Sequence, residues 1–149
     1  MLNRDDIAAR IPHQGRMCLL DCVTAWSAEA IACTAASHRL ADNPLRADGR
    51  LGAACGIEYA AQAMAVHGAL LAAAGDVPRR GFLASVRGVE LLTDRLDHVA
   101  GDLDVRAERL SGDGNNILYQ FSVEGGGRLL LSGRAAVILD AEAHSGSST

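Results

Sequence analysis

The sequence predicts an α+β domain in which a curved antiparallel sheet wraps around one long central helix. The run GAACGIEYAAQAMAVHGALLAAA, residues 52–74, is apolar around its whole circumference, which is typical of a helix buried inside a protein. Strand-like segments follow it, and in residues 103–108 Leu, Val and Ala alternate with Asp, Arg and Glu. Such alternation gives a sheet one apolar face, and that face can cover the helix.

The part of the chain before the long helix is expected to hold a short helix and two strands. Asn3 suits the N-cap position, Asp5 and Asp6 would lie in the first turn, and Pro12 follows the expected end of the helix. The segments MCLLDCVTAW and EAIACTAA have strand composition and are joined by a polar turn around Ser27. Cys18 and Cys22 would then share one strand face.

Four further strands are expected after the long helix, which Gly75 and Pro78 should end. The segments are GFLASVRGVELL, VAGDLDVRAERL, NILYQFSVEG and RLLLSGRAAVILD, and the turn-rich stretches TDRLDH, SGDGN and GGG separate them. The tail AEAHSGSST shows no pattern. We therefore expect a single domain over residues 1–140 and a disordered tail over residues 141–149.

Charge and composition exclude several classes of protein. The net charge is −4 and the basic residues, all Arg, are scattered, so nucleic-acid binding is not expected. The four cysteines lack C-x-x-C spacing and a nearby His pair, which predicts reduced thiols and no metal or other cofactor. The charged N-terminus lacks a signal-peptide core, and polar Glu58, Gln62 and His67 argue against a membrane span. These features favour a cytoplasmic protein.

Two motifs resemble the 3-hydroxyacyl-[acyl carrier protein] dehydratases of fatty-acid synthesis. The stretch IPHQGRMCLLDCV, residues 11–23, is similar to the pattern L-P-H-x-x-P-F-L-L-V-D-x-V near the start of these proteins. GIEYAAQAM is similar to their central helix, in which a catalytic acid precedes Gln by four residues, here Glu58 and Gln62. DNPL, residues 42–45, resembles the N-E-P-F before their active-site loop. The resemblance implies the hot-dog fold, which has the helix-and-sheet arrangement predicted above.

The resemblance breaks at the active-site loop. The family has a catalytic His in a G-H-F-P loop, whereas Gly49 stands at that place here and the loop RADGRLGAACG has no His. The chain therefore resembles a divergent branch, similar to the dehydratase-like proteins of aryl-polyene clusters.

Glu58 is the principal candidate for the catalytic acid or base. A carboxylate in an apolar helix has its pKa raised by desolvation, which suits proton transfer near neutral pH. The alternative is a structural carboxylate paired with Arg50, Tyr59 or a backbone donor. Gln62, one helical turn later, is expected to hydrogen-bond to Glu58.

The second catalytic group stays open between His38 and His13. His38 lies at the end of the second strand, where the chain approaches the active-site loop, and is the better replacement for the missing His. The resemblance implies that His13 supports structure near the mouth of the site. His67 should face away from Glu58, and His98 should be exposed in a strand connection.

The substrate is expected to lie along the start of the long helix. Backbone N–H groups around Gly52, Ala53 and Gly56 would polarise the thioester carbonyl, and glycine would let the acyl chain approach the backbone. Gln62 is also assigned to substrate binding. An acyl pocket lined by small residues, including Ala53, Ala54 and Ala61, should run beside the helix.

Three functions remain open from the sequence. The first is a dehydratase acting on a 3-hydroxyacyl thioester carried by acyl carrier protein or coenzyme A. The second is a non-catalytic hot-dog subunit or acyl-thioester-binding protein that pairs with an active partner. The third is a hot-dog acyl thioesterase. Because the sheet would leave an unpaired edge, a homodimer or a heterodimer is expected in each case.

Overall fold

A computed structural model of the chain describes residues 1–11, 15–73, 81–112 and 115–139. Its α-helices and strands follow the predicted order, and their bounds are α1 Arg4–Ala8, β1 Cys22–Trp26, β2 Ala30–Ala35, α2 Gly56–Ala73, β3 Gly81–Leu91, β4 Leu103–Gly112, β5 Asn116–Gly125 and β6 Arg128–Leu139. The predictions for Pro12, Gly75, Pro78 and the tail over residues 141–149 fall outside the described residues.

The six strands form one antiparallel sheet in the order β1-β2-β4-β5-β6-β3. α2 packs against β2, β4 and β5. On β4, Leu103, Val105 and Ala107 are buried, whereas the charged residues between them are exposed. One apolar face of the sheet therefore covers the central helix, and the predicted hot-dog architecture is confirmed.

Asn3 caps α1 as predicted. Its side-chain oxygen accepts a hydrogen bond from the Asp6 N–H at 3.0 Å, and the Asp6 carboxylate accepts one from the Asn3 N–H at 3.1 Å. This reciprocal pair satisfies two N–H groups that a short helix would otherwise leave without partners.

The first strand is shorter than predicted. β1 begins at Cys22, while residues 15–17 form a single 3₁₀ turn and residues 18–21 form no strand. The reason is that the backbone of Met17 and Leu19 bonds to a side chain of α2 instead of a neighbouring strand. The prediction that Cys18 shares a strand face with Cys22 is therefore wrong. No described cysteine forms a disulfide.

The long helix begins later than predicted. Residues 53–55 form a 3₁₀ turn, and the α-helix starts at Gly56. A Cβ atom on Gly56 would lie 2.6 Å from Leu131 Cδ2, so glycine allows the helix to approach β6 closely. Among the described helices, none combines the length and apolarity that a membrane-spanning segment needs.

Replacement of Gly56 by Ala is expected to lower the free energy of unfolding by about 1–3 kcal/mol, because Leu131 is fully buried and has little room to move. Gly68→Ala is the matched control in the same helix. A Cβ at Gly68 meets nothing within 4 Å, so helix propensity should stabilise that variant by up to about 1 kcal/mol. Urea unfolding of both variants measures the difference, and equal stability would contradict the close approach.

Candidate active site at the start of the central helix

Glu58 lies in the first turn of α2 and is half-buried. Cys55 lies three residues before it in the chain: burial is the main cause that raises the pKa of the Cys55 thiol, and the negative charge of Glu58 adds to the effect. The apolar helix therefore places this carboxylate at its N-terminal end and at the boundary of the core. That position is compatible with contact with a substrate.

Tyr59 is buried in the core, where its hydroxyl forms hydrogen bonds. Ser37 Oγ donates to the Leu19 carbonyl at 2.7 Å and accepts from the Tyr59 hydroxyl at 2.8 Å, and Asn43 Nδ2 donates to the Tyr59 oxygen at 3.0 Å. Burial raises the pKa of Tyr59, which keeps the phenol neutral. The hydroxyl therefore serves this buried network, which leaves Tyr59 a poor partner for Glu58.

Gln62 has a structural role that the sequence did not reveal. Its Oε1 accepts from the Leu19 N–H at 2.9 Å, and its Nε2 donates to the Met17 carbonyl at 2.6 Å. Only 1% of the residue is exposed. Gln62 thus ties the segment that precedes β1 to the helix one turn beyond Glu58, and its burial leaves little of the side chain accessible to a substrate.

Asp21, which matches the Asp of the first motif, holds the same segment from the other side. Its Oδ1 accepts from Arg4 at 3.0 Å, and its Oδ2 accepts from the Ala36 N–H at 2.6 Å. Arg4 also donates to the Cys18 carbonyl at 2.5 Å. α1, the end of β2 and the segment before β1 are therefore fixed together beside the start of α2.

His38 is fully buried. Its Nε2 donates to the Val99 carbonyl at 3.0 Å, whereas its Nδ1 has no hydrogen-bond partner among the described residues. Burial is the main cause that lowers the pKa of His38. The structure therefore places His38 inside the protein, and its catalytic assignment, like that of Glu58, stays a prediction. His13 falls outside the described residues.

His67 on α2 is fully buried, whereas His98 is largely exposed, as predicted for its place in a strand connection. Nε2 of His67 donates to the Ser27 carbonyl at 2.8 Å, and its Nδ1 accepts from the Tyr119 hydroxyl at 2.7 Å. Burial lowers the pKa of His67. The neutral ring satisfies both partners, so His67 links α2 to β5 and to the β1–β2 turn.

Stability is expected to fall as the pH drops from about 7.5 to about 5. The pKa values of His38 and His67 are lowered by burial from the ordinary 6.5, so the unfolded chain takes up protons that the folded chain does not. Each His can contribute at most about 1.4 kcal/mol per pH unit. Urea unfolding of His67→Gln should show a shallower decline in stability than wild type below about pH 7.5 and run parallel to wild type above it. If the free energy of unfolding changed with pH in the same way for both proteins over the whole range, His67 would not contribute to the pH dependence.

The residues assigned to substrate binding differ in position. Gly52 is half-buried, and a Cβ there would meet nothing within 4 Å, so a ligand could approach its backbone. Ala53 is buried, and its N–H donates to the Asp94 carbonyl at 3.0 Å. Gly56 faces Leu131, so the core accounts for its missing side chain. Of the three, Gly52 is the best placed for contact with a thioester.

The predicted acyl pocket beside the helix stays a prediction. Ala53 is buried, Ala54 is exposed and Ala61 is half-buried. A groove of about 460 Å³ lies on the opposite face of the sheet, and its lining residues belong to β1, β2, β4, β5 and the β1–β2 turn, with none from α2. The groove is therefore separate from the site around Glu58.

Comparison with known protein families identifies the family to which the chain belongs. The model of the ApeP-like family, described as ApeP dehydratase, matches residues 5–145. The chain belongs to the ApeP-like dehydratase family. This confirms the dehydratase resemblance that the motifs around Glu58 and residues 11–23 indicated. No curated protein sequence matches the chain closely.

Solved structures support the same fold for this ApeP-like chain. The dehydratase heterocomplex ApeI:P from Xenorhabdus doucetiae superposes with a TM-score of 0.79 at 22% identity, over 96% of this chain and 94% of that chain. A thioesterase from Haemophilus influenzae superposes with a TM-score of 0.67 at 11% identity, over 94% of this chain and 92% of that chain. A hypothetical thioesterase with coenzyme A from Streptococcus pneumoniae superposes with a TM-score of 0.59 at 11% identity, over 79% of this chain and 84% of that chain. At these identities the likeness shows the hot-dog fold.

Proposed function

We propose that this ApeP-like protein dehydrates 3-hydroxyacyl thioesters carried by acyl carrier protein or coenzyme A, and that Glu58 performs the proton transfer. The observation that carries the proposal is the half-buried carboxylate in the first turn of the central helix, at the motif position of the catalytic acid, in a chain of a dehydratase family. The pathway class is fatty-acid or aryl-polyene type biosynthesis.

The reaction requires a base, an acid and hydrogen-bond donors to the thioester oxygen. The base removes the C2 proton and the acid protonates the departing C3 hydroxyl. The electron pair of the C2–H bond forms the new C2–C3 double bond as water leaves. Negative charge develops on the thioester oxygen meanwhile, and N–H groups at the start of a helix stabilise such charge. Glu58 can take the C2 proton and return it to the hydroxyl, while the backbone around Gly52 polarises the carbonyl.

The position of His38 favours a structural role over direct participation in proton transfer. The ring is fully buried, and its Nε2 is held by the Val99 carbonyl. His13 remains the other candidate for a second proton-transfer group, and a side chain from a partner subunit is a third source. A reaction carried by Glu58 alone needs none of them.

The edge of the sheet supports assembly with a second hot-dog subunit. β3 is an edge strand, and Leu83 and Leu91 on it are exposed by 41% and 48%. Unpaired apolar edges favour pairing with another chain. The similar Xenorhabdus doucetiae structure is a heterocomplex. We therefore propose a homodimer or a heterodimer joined through β3.

Size-exclusion chromatography with light scattering is expected to show a dimer at micromolar concentration. A double variant, Leu83→Arg with Leu91→Arg, should shift the protein to monomer because the charges oppose burial of the edge. Leu110→Arg, at an exposed position on β4, is the matched control and should leave the dimer intact. A wild type that is monomeric both alone and when mixed with a second hot-dog subunit would contradict the proposed assembly.

A thioesterase is the second candidate function, favoured by the structural likeness to the two thioesterases. One experiment separates the functions. The wild type is incubated with 3-hydroxyacyl-carrier protein, alone and with an active hot-dog dehydratase subunit, and the carrier is analysed by intact mass. Loss of one water with the acyl chain still attached supports a dehydratase. Release of the acyl chain supports a thioesterase. Water loss in the mixture that exceeds the rate of the added subunit alone, and that Glu58→Gln leaves unchanged, supports a non-catalytic partner.

A further inference from the structure

The connection between β3 and β4, residues 92–102, holds both ends of the loop that precedes the central helix. That loop, residues 40–50, runs from the end of the β2 region toward α2. One half of the connection pairs with residues 51–53, and the other half binds residues 38 and 39. A single segment therefore fixes the points where the loop begins and ends.

The first half of the connection forms a small ladder with the chain just before α2. The Leu96 N–H donates to the Leu51 carbonyl at 2.7 Å, and the Ala53 N–H donates to the Asp94 carbonyl at 3.0 Å. Gly52 lies between these bonds, in an antiparallel bridge with Arg95. The backbone that would receive the thioester is thus held from one side by this ladder.

Asp97 completes the ladder with its side chain. Its Oδ1 accepts from the Leu51 N–H at 3.0 Å and from Arg95 Nε at 3.0 Å, and its Oδ2 accepts from Arg95 Nη2 at 2.5 Å. The Asp97 side chain is only 5% exposed. The Arg95 guanidinium is the main cause that lowers the pKa of Asp97, so the carboxylate stays ionised at physiological pH. Glu58 does not take part in these bonds.

The second half of the connection binds the other end of the loop. The Val99 carbonyl accepts from the buried His38 at 3.0 Å, the Ala100 carbonyl accepts from Arg39, and Asp102 pairs with Arg39 at 3.2 Å. Displacement of the connection would therefore move the loop and the start of α2 together.

We propose that Asp97, held by Arg95, is a positioning residue for the dehydration, because it fixes the backbone at residues 51–53 and with it the placement of Glu58 relative to the thioester. The inference rests on the proposed function. A displacement of about 1 Å from the reactive geometry can cost up to about 100-fold in rate. Asp97 should therefore act on the rate of the bound substrate more than on substrate affinity.

The test compares Asp97→Asn, Asp97→Ala and Arg95→Gln with wild type, in the assembly that is active in the wild type. Asn keeps an oxygen that can accept from Leu51 but loses the ion pair, whereas Ala loses both contacts. We expect kcat per folded molecule to fall about tenfold for Asn and more for Ala, with KM changed less than about twofold. Asp104→Asn, at an exposed position on β4, is the matched control and should behave as wild type.

Amide hydrogen exchange of the same proteins gives a second readout that does not depend on activity. Exchange in residues 51–58 should accelerate in the Asp97 variants while β5 stays protected as in wild type. Arg95→Gln keeps the Asp97 carboxylate and provides a folded variant if Asp97→Ala unfolds. Unchanged kcat per folded molecule in Asp97→Asn and Arg95→Gln would overturn the positioning role. A wild type inactive in every assembly would overturn the proposed function itself, and the positioning role with it.

Discussion

Replacement of Glu58 by Gln is expected to lower the turnover of a 3-hydroxyacyl carrier-protein substrate by about 100-fold or more. The amide keeps the size of the side chain and its capacity for hydrogen bonds but cannot exchange a proton, which removes general acid–base catalysis. Stability should stay within about 1 kcal/mol of wild type, because relief of desolvation and loss of a favourable carboxylate at the helix N-terminus oppose each other. Steady-state kinetics and urea unfolding measure the two effects.

Two further variants distinguish proton transfer by Glu58 from a structural role of its carboxylate. Glu58→Asp retains the titrating group on a shorter side chain and should retain more activity than Glu58→Gln. Glu108→Gln removes a carboxylate from an exposed position on β4 and should leave activity unchanged. A purely structural carboxylate predicts a different pattern, in which Glu58→Gln lowers the melting temperature and the activity per folded molecule stays at the wild-type level.

Replacement of Gln62 by Leu is expected to lower the free energy of unfolding by about 2–5 kcal/mol. Leu fills similar space but leaves the buried Leu19 N–H and the partly buried Met17 carbonyl without their partner. A buried polar group that loses its partner costs about 1–3 kcal/mol, and a partly buried one costs less. Urea unfolding measures the loss. Gln120→Leu, at an exposed position on β5, is the matched control and should change stability by less than about 0.5 kcal/mol. Equal losses in both variants would contradict the role of Gln62.

The order of the elements could be predicted because each leaves a local pattern in the sequence. The alternation in residues 103–108 predicted a strand with one buried face, and the observed burial on β4 follows it. The segment NILYQFSVEG corresponds to β5 in full. The cap at Asn3 was also visible, because its partner Asp6 is only three residues away.

The parts of the site that could not be predicted depend on contacts between distant residues. Residues 17–21 have strand composition, yet Gln62 binds their backbone from more than 40 positions away. The contact between Asp97 and the Leu51 N–H spans 46 positions, and no local pattern marks it. The buried His38 likewise finds its hydrogen-bond partner, Val99, 61 positions along the chain. Local periodicity reports the faces of helices and strands but not the partners of individual polar groups.

Incubation with a 3-hydroxyacyl-carrier protein in deuterium oxide tests the role of Glu58 most directly. Because dehydration is reversible, proton transfer at C2 followed by rehydration should place solvent deuterium at C2 of the remaining substrate. For the wild type, in its active assembly, we expect intact mass spectrometry to show an enoyl product that has lost one water and a 3-hydroxyacyl substrate that carries deuterium at C2. For Glu58→Gln we expect neither. Wild-type rates of both water loss and C2 exchange in Glu58→Gln would contradict proton transfer by this carboxylate.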